Sequence, residues 1–150
     1  MVHDIRETQE HAEHELEHLE TQTENVERQM NEVEKAIEEI QSTLSRMEES
    51  GDREVADAVQ KTLYERLKEK ESVQKEAEEL AHKLRAIFES IHQIDQWNTE
   101  AGQEIASLEI YGDMSEAVNR ISERSKWVED EYEKVQVMQQ KLDRIIGGFT

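Results

Sequence analysis

Between Ile5 and Met47 one set of positions recurs at alternating steps of four and three residues without a slip. It reads Ile5, Gln9, Ala12, Leu16, Leu19, Thr23, Val26, Met30, Val33, Ile37, Ile40, Leu44 and Met47, and only Gln9 and Thr23 are polar. A sustained 3.5-residue repeat keeps one apolar seam of a helix facing a partner helix, which is the coiled-coil pattern. A strand would alternate every second residue instead. The chain has no proline and 5 glycines in 150 residues, so little in it breaks a long helix.

The same repeat resumes twice. Glu49-Ser50-Gly51-Asp52 interrupts the first series, with Gly51 suited to a helix C-terminus and Asp52 to the next N-cap. A second series reads Ala56, Val59, Leu63, Arg66, Lys70, Val73, Ala77, Leu80, Leu84, Ile87, Ile91, Ile94, Asn98, Ala101, Ile105 and Leu108, with Gly102 as its internal weak point. Tyr111-Gly112-Asp113 marks another turn, and Asp113 with Glu116 resembles a capping box. A third series follows as Met114, Val118, Ile121, Ser125, Val128, Tyr132, Val135, Leu142 and Ile146, with Met138 and Ile145 beside it. The expectation is an all-α antiparallel three-helix coiled-coil bundle with helices at about 4–49, 53–110 and 114–147. Residues 1–150 are expected to form a single elongated domain.

Short turns make neighbouring helices antiparallel. Folding at 51–52 sets residue i opposite roughly 103 − i. Folding at 112–113 returns the third helix only as far as about residue 78. The expectation is a three-helix section of early helix 1, late helix 2 and helix 3, with a two-helix arm protruding at the 50–52 turn. A helix with two partners needs a wider apolar stripe, and late helix 2 supplies Ala81, Phe88 and Trp97 beside its seam. In the arm, Leu67 and Val55 flank the seam, while Arg66 and Lys70 stand in it. These two cations are expected to set register by reaching Glu32, Glu34, Glu38 or Glu39 of helix 1.

Composition narrows the function classes. The net charge is −19, and residues 1–50 alone hold 15 acidic and 4 basic residues. No segment is basic, which argues against binding to phosphate backbones. The absence of cysteine excludes disulfides and thiolate metal sites. The acidic N-terminus does not read as a signal peptide, and no apolar run approaches the ~20 residues of a membrane span. A cytoplasmic protein without membrane contact is the expectation, with signal-independent export left open.

His14-Glu15-Leu16-Glu17-His18 fits the H-E-x-x-H pattern that zinc peptidases carry on a helix. With Leu16 and Leu19 in the seam, His14 takes the outermost position, and His11 and His18 fall beside it. A zinc peptidase needs a cleft, a third ligand and a glutamate aimed at metal-bound water, and the outer face of a rod offers none of these. Glu15 and His18 form one E-x-x-H, whereas di-iron bundles use such motifs on core faces. No catalytic residue, metal or cofactor is therefore expected. His11, His14 and His18 are the one set spaced to chelate a surface ion. His82 and His92 fall on polar positions and receive no role.

The expected function is non-catalytic protein–protein interaction through helix packing, as a scaffold, adaptor or assembly subunit, with self-association open. Trp127 lies off the helix 3 seam, and tryptophan is enriched at interface hot spots. It is expected to contact the partner together with Tyr111, Gly51 and Asp52. The alternative is a helical chaperone or secretion partner that escorts a client. Helical-hairpin substrates of type VII secretion carry W-x-G and a tyrosine followed four residues on by an acid. Here Trp97 is followed by Asn98-Thr99, and Tyr64, Tyr111 and Tyr132 are followed by Lys68, Ser115 and Gln136, so both motifs fail. A third reading, an acidic mimic of DNA, rests on charge alone.

Overall fold

The computed structural model describes residues 5–51, 53–107 and 115–148. These form three helices packed against each other, α1 (Ile5–Ser50), α2 (Arg53–Ser107) and α3 (Ser115–Ile146), and no strand occurs among the described residues. The all-α three-helix bundle that the periodicity predicts is the fold. α2 runs unbroken through Gly102, which faces Ile121 of α3 at ordinary contact distance. Asp52, the 108–110 end of the second expected helix, and Met114 lie outside the described residues.

The seams of α1 and α2 follow the 3.5-residue repeat closely. Eight consecutive seam positions of α1, from Ala12 to Ile37, are buried, and so are eight of α2, from Val73 to Asn98. Burying a Leu, Ile or Met side chain contributes about 1.5–3 kcal/mol, so these runs hold the bundle together.

On α3 the structure departs from the expected series. The buried positions are Val128, Glu131, Val135, Met138, Leu142 and Ile145, with Ala117, Ile121 and Arg124 half-buried ahead of them. Val118 is 51% exposed, and Ser125 is exposed as well. Ile121, Val128, Val135 and Leu142 belong to both patterns, so the choice lies between their two flanks. Met138 and Ile145 are 3% and 0% exposed. Residues seven apart share a helix face, so burying this pair draws Glu131 and Arg124 inward as well. The chain thereby accepts two charged groups in its seam and leaves Val118 in water.

The helices pack as two compact units, Met1–Glu20 with Ala81–Gln140, and Thr21–Leu80 with Lys141–Thr150. In the first, α1 and α3 run parallel, with Arg124 reaching Gln9 and Trp127 reaching Glu13. A polar layer crosses its core. Asn98, 2% exposed, donates through Nδ2 to the Ile121 carbonyl and to Ser125 Oγ, both at 3.0 Å. Arg124 completes the layer by donating to Asn98 Oδ1 at 3.5 Å and to Gln9 Oε1 at 3.4 Å. Such layers are satisfied in only one register, which is how a polar group inside a coiled coil acts on specificity.

In the second unit the α1–α2 hairpin receives the end of α3. Gln74 Nε2 donates to the Ile146 carbonyl at 3.2 Å and, more weakly, to that of Ile145 at 3.5 Å. α3 therefore passes the predicted limit at residue 78. Towards Gly51 only α1 and α2 remain among the described residues, and their seam residues Ile40, Leu44, Met47, Ala56, Val59 and Leu63 are half-buried. Gly51 closes α1 with φ of 79° and donates its N–H to the Met47 carbonyl at 3.0 Å. That left-handed conformation costs an L-residue about 1–2 kcal/mol. Gly51→Ala is expected to destabilise the protein by about that amount in a urea melt, although a Cβ would meet no atom within 4 Å.

Candidate interaction surfaces

Trp127 sits on α3 one residue before the buried Val128, which turns its ring towards the α1 side. It is half-buried, and its indole N–H donates to Glu13 Oε1 at 2.7 Å. The group that would bind an outside acceptor is thus already satisfied within the unit, and the side chain ties α3 to α1. Tyr111 and Asp52 lie outside the described residues, and Gly51 is exposed at the hairpin turn.

Of the two seam cations, Lys70 extends to Glu34 Oε1 of α1 at 2.6 Å. Arg66 is exposed and instead pairs with Glu69 one turn along its own helix, at 2.8 Å. A pair within one helix says nothing about the register of two, so of these two cations it is Lys70 that crosses to α1.

His11, His14 and His18 are all exposed on α1. His11 Nε2 is 2.9 Å from Glu15 Oε1, so the two residues that would begin a chelate or an E-x-x-H site face each other along the helix. Among the described residues no group of three or more His, Asp or Glu side chains is arranged to hold a metal ion.

An open polar cleft of about 380 Å³ lies between the first turns of α1 and α3. Arg6, Arg120 and Arg124 alternate there with Glu10, Glu13 and Glu123, alongside Gln9. Arg6 pairs with Glu10 at 3.5 Å and Arg120 with Glu116 at 3.0 Å. Burial, and then the neighbouring Arg120 charge, lower the Arg124 pKa. The lining consists of guanidiniums, carboxylates and one amide, which provides ion pairing and hydrogen bonding.

Among the described residues Glu131 is the charged group set deepest in the core, 3% exposed, with Lys134 Nζ donating to its carboxylate at 3.3 Å. Its pKa is raised, first because burial penalises the carboxylate. Lys134 pulls the other way and loses to that burial, while Glu13 and Asp130 add to the rise. The same hydrogen bond raises the pKa of Lys134.

The periodicity places Phe88 beside the α2 seam, expected in the core, but the structure leaves it 43% exposed. It packs on Tyr132 of α3 at 5.4 Å between ring centroids and stacks on His92, one turn along α2, at 6.5 Å. His92 Nδ1 lies within hydrogen-bond distance of the Tyr132 hydroxyl, at 3.4 Å. Burial and the Asp95 charge raise the Tyr132 pKa. Three rings from two helices thus form one aromatic surface on an otherwise strongly charged protein. The sequence signal for it is the i, i+4 pair Phe88–His92 facing Tyr132 across an antiparallel turn.

Comparison with known proteins finds no family model, curated protein or solved structure that matches this chain. The class that the fold defines is an all-α helical bundle with coiled-coil seams. No helix among the described residues is long and apolar enough to cross a membrane.

Proposed function

We propose that this is a non-catalytic coiled-coil protein that binds another protein through helix packing, as a scaffold, adaptor or assembly subunit. The observation that supports this reading most is the exposed Phe88–His92–Tyr132 surface. Aromatic side chains held rigidly on helices lose little conformational freedom on binding, and they are enriched where interfaces concentrate their energy. Grouped rings are a better docking surface than single exposed residues, which are normal on any protein.

The test is a pull-down from native lysate with the tagged chain, at low and moderate salt, followed by mass spectrometry. One enriched partner that survives moderate salt is expected, because ring packing is not screened. Phe88→Ser with Tyr132→Ser is expected to weaken that partner about 30-fold, the equivalent of one hot spot of about 2 kcal/mol. A partner released by salt alone and indifferent to both substitutions would instead favour an electrostatic role such as DNA mimicry.

A further inference from the structure

Two carboxylates flank the Phe88–His92–Tyr132 surface at its Asn98 end. Asp95 stands one turn after His92 on α2 and is half-buried, and Glu129 stands one turn before Tyr132 on α3. Burial, and then the Asp95 charge, raise the Tyr132 pKa, so that carboxylate lies close to the phenol. The Asp95 backbone carbonyl accepts the Thr99 hydroxyl at 3.0 Å. Among the described residues, however, no Lys or Arg pairs with the carboxylate of Asp95 or of Glu129. Arg85, one turn before Phe88, is exposed at the other end.

Tyr64 shows what an exposed ring of this chain takes on. Lys68, four residues along, holds its Nζ 4.7 Å from the Tyr64 centroid. Ring faces attract cations, arginine more often than lysine. Four residues beyond Phe88 and Tyr132 stand His92 and Gln136 instead, and no Lys or Arg among the described residues lies over either ring. A guanidinium uses both groups found here at once, since it stacks flat on a ring and donates in a fork to a carboxylate. A purely apolar partner covering the rings would shut Asp95 away from water without a cation, which is costly. The net charge of −19 also draws cationic groups towards the chain.

We infer that the partner places an arginine side chain on this surface, its guanidinium against the Phe88 and Tyr132 rings and paired with Asp95. This arginine site rests on the docking role proposed for the same rings and adds the chemistry of what docks there.

The full chain with isotope-labelled Phe and Tyr is titrated with N-acetyl-arginine amide and, in parallel, with the uncharged citrulline analogue. NMR follows the Phe88 and Tyr132 ring signals. One exposed site binds a single side chain weakly, so initial slopes of shift against concentration are compared. The arginine compound is expected to shift both rings at least about threefold more steeply than citrulline. Asp95→Asn is expected to cut the arginine slope about threefold, with far-UV circular dichroism unchanged. Glu104→Gln removes an equal charge from an exposed position of α2 off this surface and is expected to leave the slope nearly unchanged. Equal slopes for the two compounds, or equal losses for Asp95→Asn and Glu104→Gln, would overturn the inference. In the native-lysate pull-down, a partner lost on Phe88→Ser with Tyr132→Ser but kept on Asp95→Asn would overturn the arginine contact and leave docking at the rings standing. No captured partner, with the arginine slopes as expected, would count against the docking role and support the arginine chemistry of the surface.

Discussion

Glu131→Leu is expected to stabilise the protein by about 1–3 kcal/mol at neutral pH. The wild-type carboxylate is 3% exposed and has one cation donating to it, at 3.3 Å. Ion pairing in a buried seam returns less than desolvation costs unless the geometry is excellent and every lone pair is used. Here Lys134 is half in water, and the other charges felt by the carboxylate, Glu13 and Asp130, repel it. Leucine fills the seam position, and Lys134 returns to solvent at little cost. The gain depends on pH with a definite sign. Because the folded pKa of Glu131 is raised, the folded state binds the proton more tightly than the unfolded state. The contribution of Glu131 to stability is therefore fullest below the ordinary carboxylate range. It falls as pH rises from the ordinary value through the raised one, and is flat above. The advantage of Glu131→Leu over wild type should grow across that window and then level off. Paired urea melts from acid to neutral pH measure the difference, and the background repulsion among the other acids cancels in the comparison. Lys134→Ala should act the opposite way at neutral pH, because it strands the carboxylate. A Glu131→Leu chain less stable than wild type at neutral pH would show that the Glu131–Lys134 pair is a net stabiliser.

Ile91→Ala is expected to destabilise the protein by about 2–5 kcal/mol, the cost of a fully buried large-to-small change that leaves a cavity. Ile91 is 0% exposed and lies between Ile87 and Ile94, which are 4% and 0% exposed. Domains of this size are stable by only about 5–15 kcal/mol, so one such change removes a large fraction of the total. Phe88→Ala, three residues away and larger in volume removed, is expected to cost under about 1 kcal/mol, since the ring is already 43% in water. The contrast between the two positions is the sharper test, because hydrophobicity alone would rank Phe88 as the more important residue. Equal losses at both sites, read from urea melts followed by circular dichroism, would mean that the α2–α3 packing differs from that described.

Much of this fold was legible because a 3.5-residue apolar period has few physical solutions. A helix with that pattern must keep one seam against a partner, so the α1 and α2 seams could be named residue by residue, including Thr23 and Asn98. Lys70 facing Glu34 followed from the same reasoning, because a short turn between antiparallel helices determines which residues are opposite. The outward placement of His11, His14 and His18 needed only the seam next to them.

What required tertiary structure was the choice between adjacent faces. In α3 two seams share Ile121, Val128, Val135 and Leu142, and apolar character favoured the one with Val118 and Tyr132. Simultaneous contact with α1 and α2 selected the other, because it buries Met138 and Ile145, and Glu131 and Arg124 came with them. The same ambiguity of one helical position put Phe88 at a surface instead of in the core. It also left Arg66 beside its own Glu69, while Trp127 spends its N–H on Glu13. A period defines a stripe along one helix. Which edge of the stripe is buried depends on where the neighbouring helices lie, and the sequence of one helix alone does not carry that information.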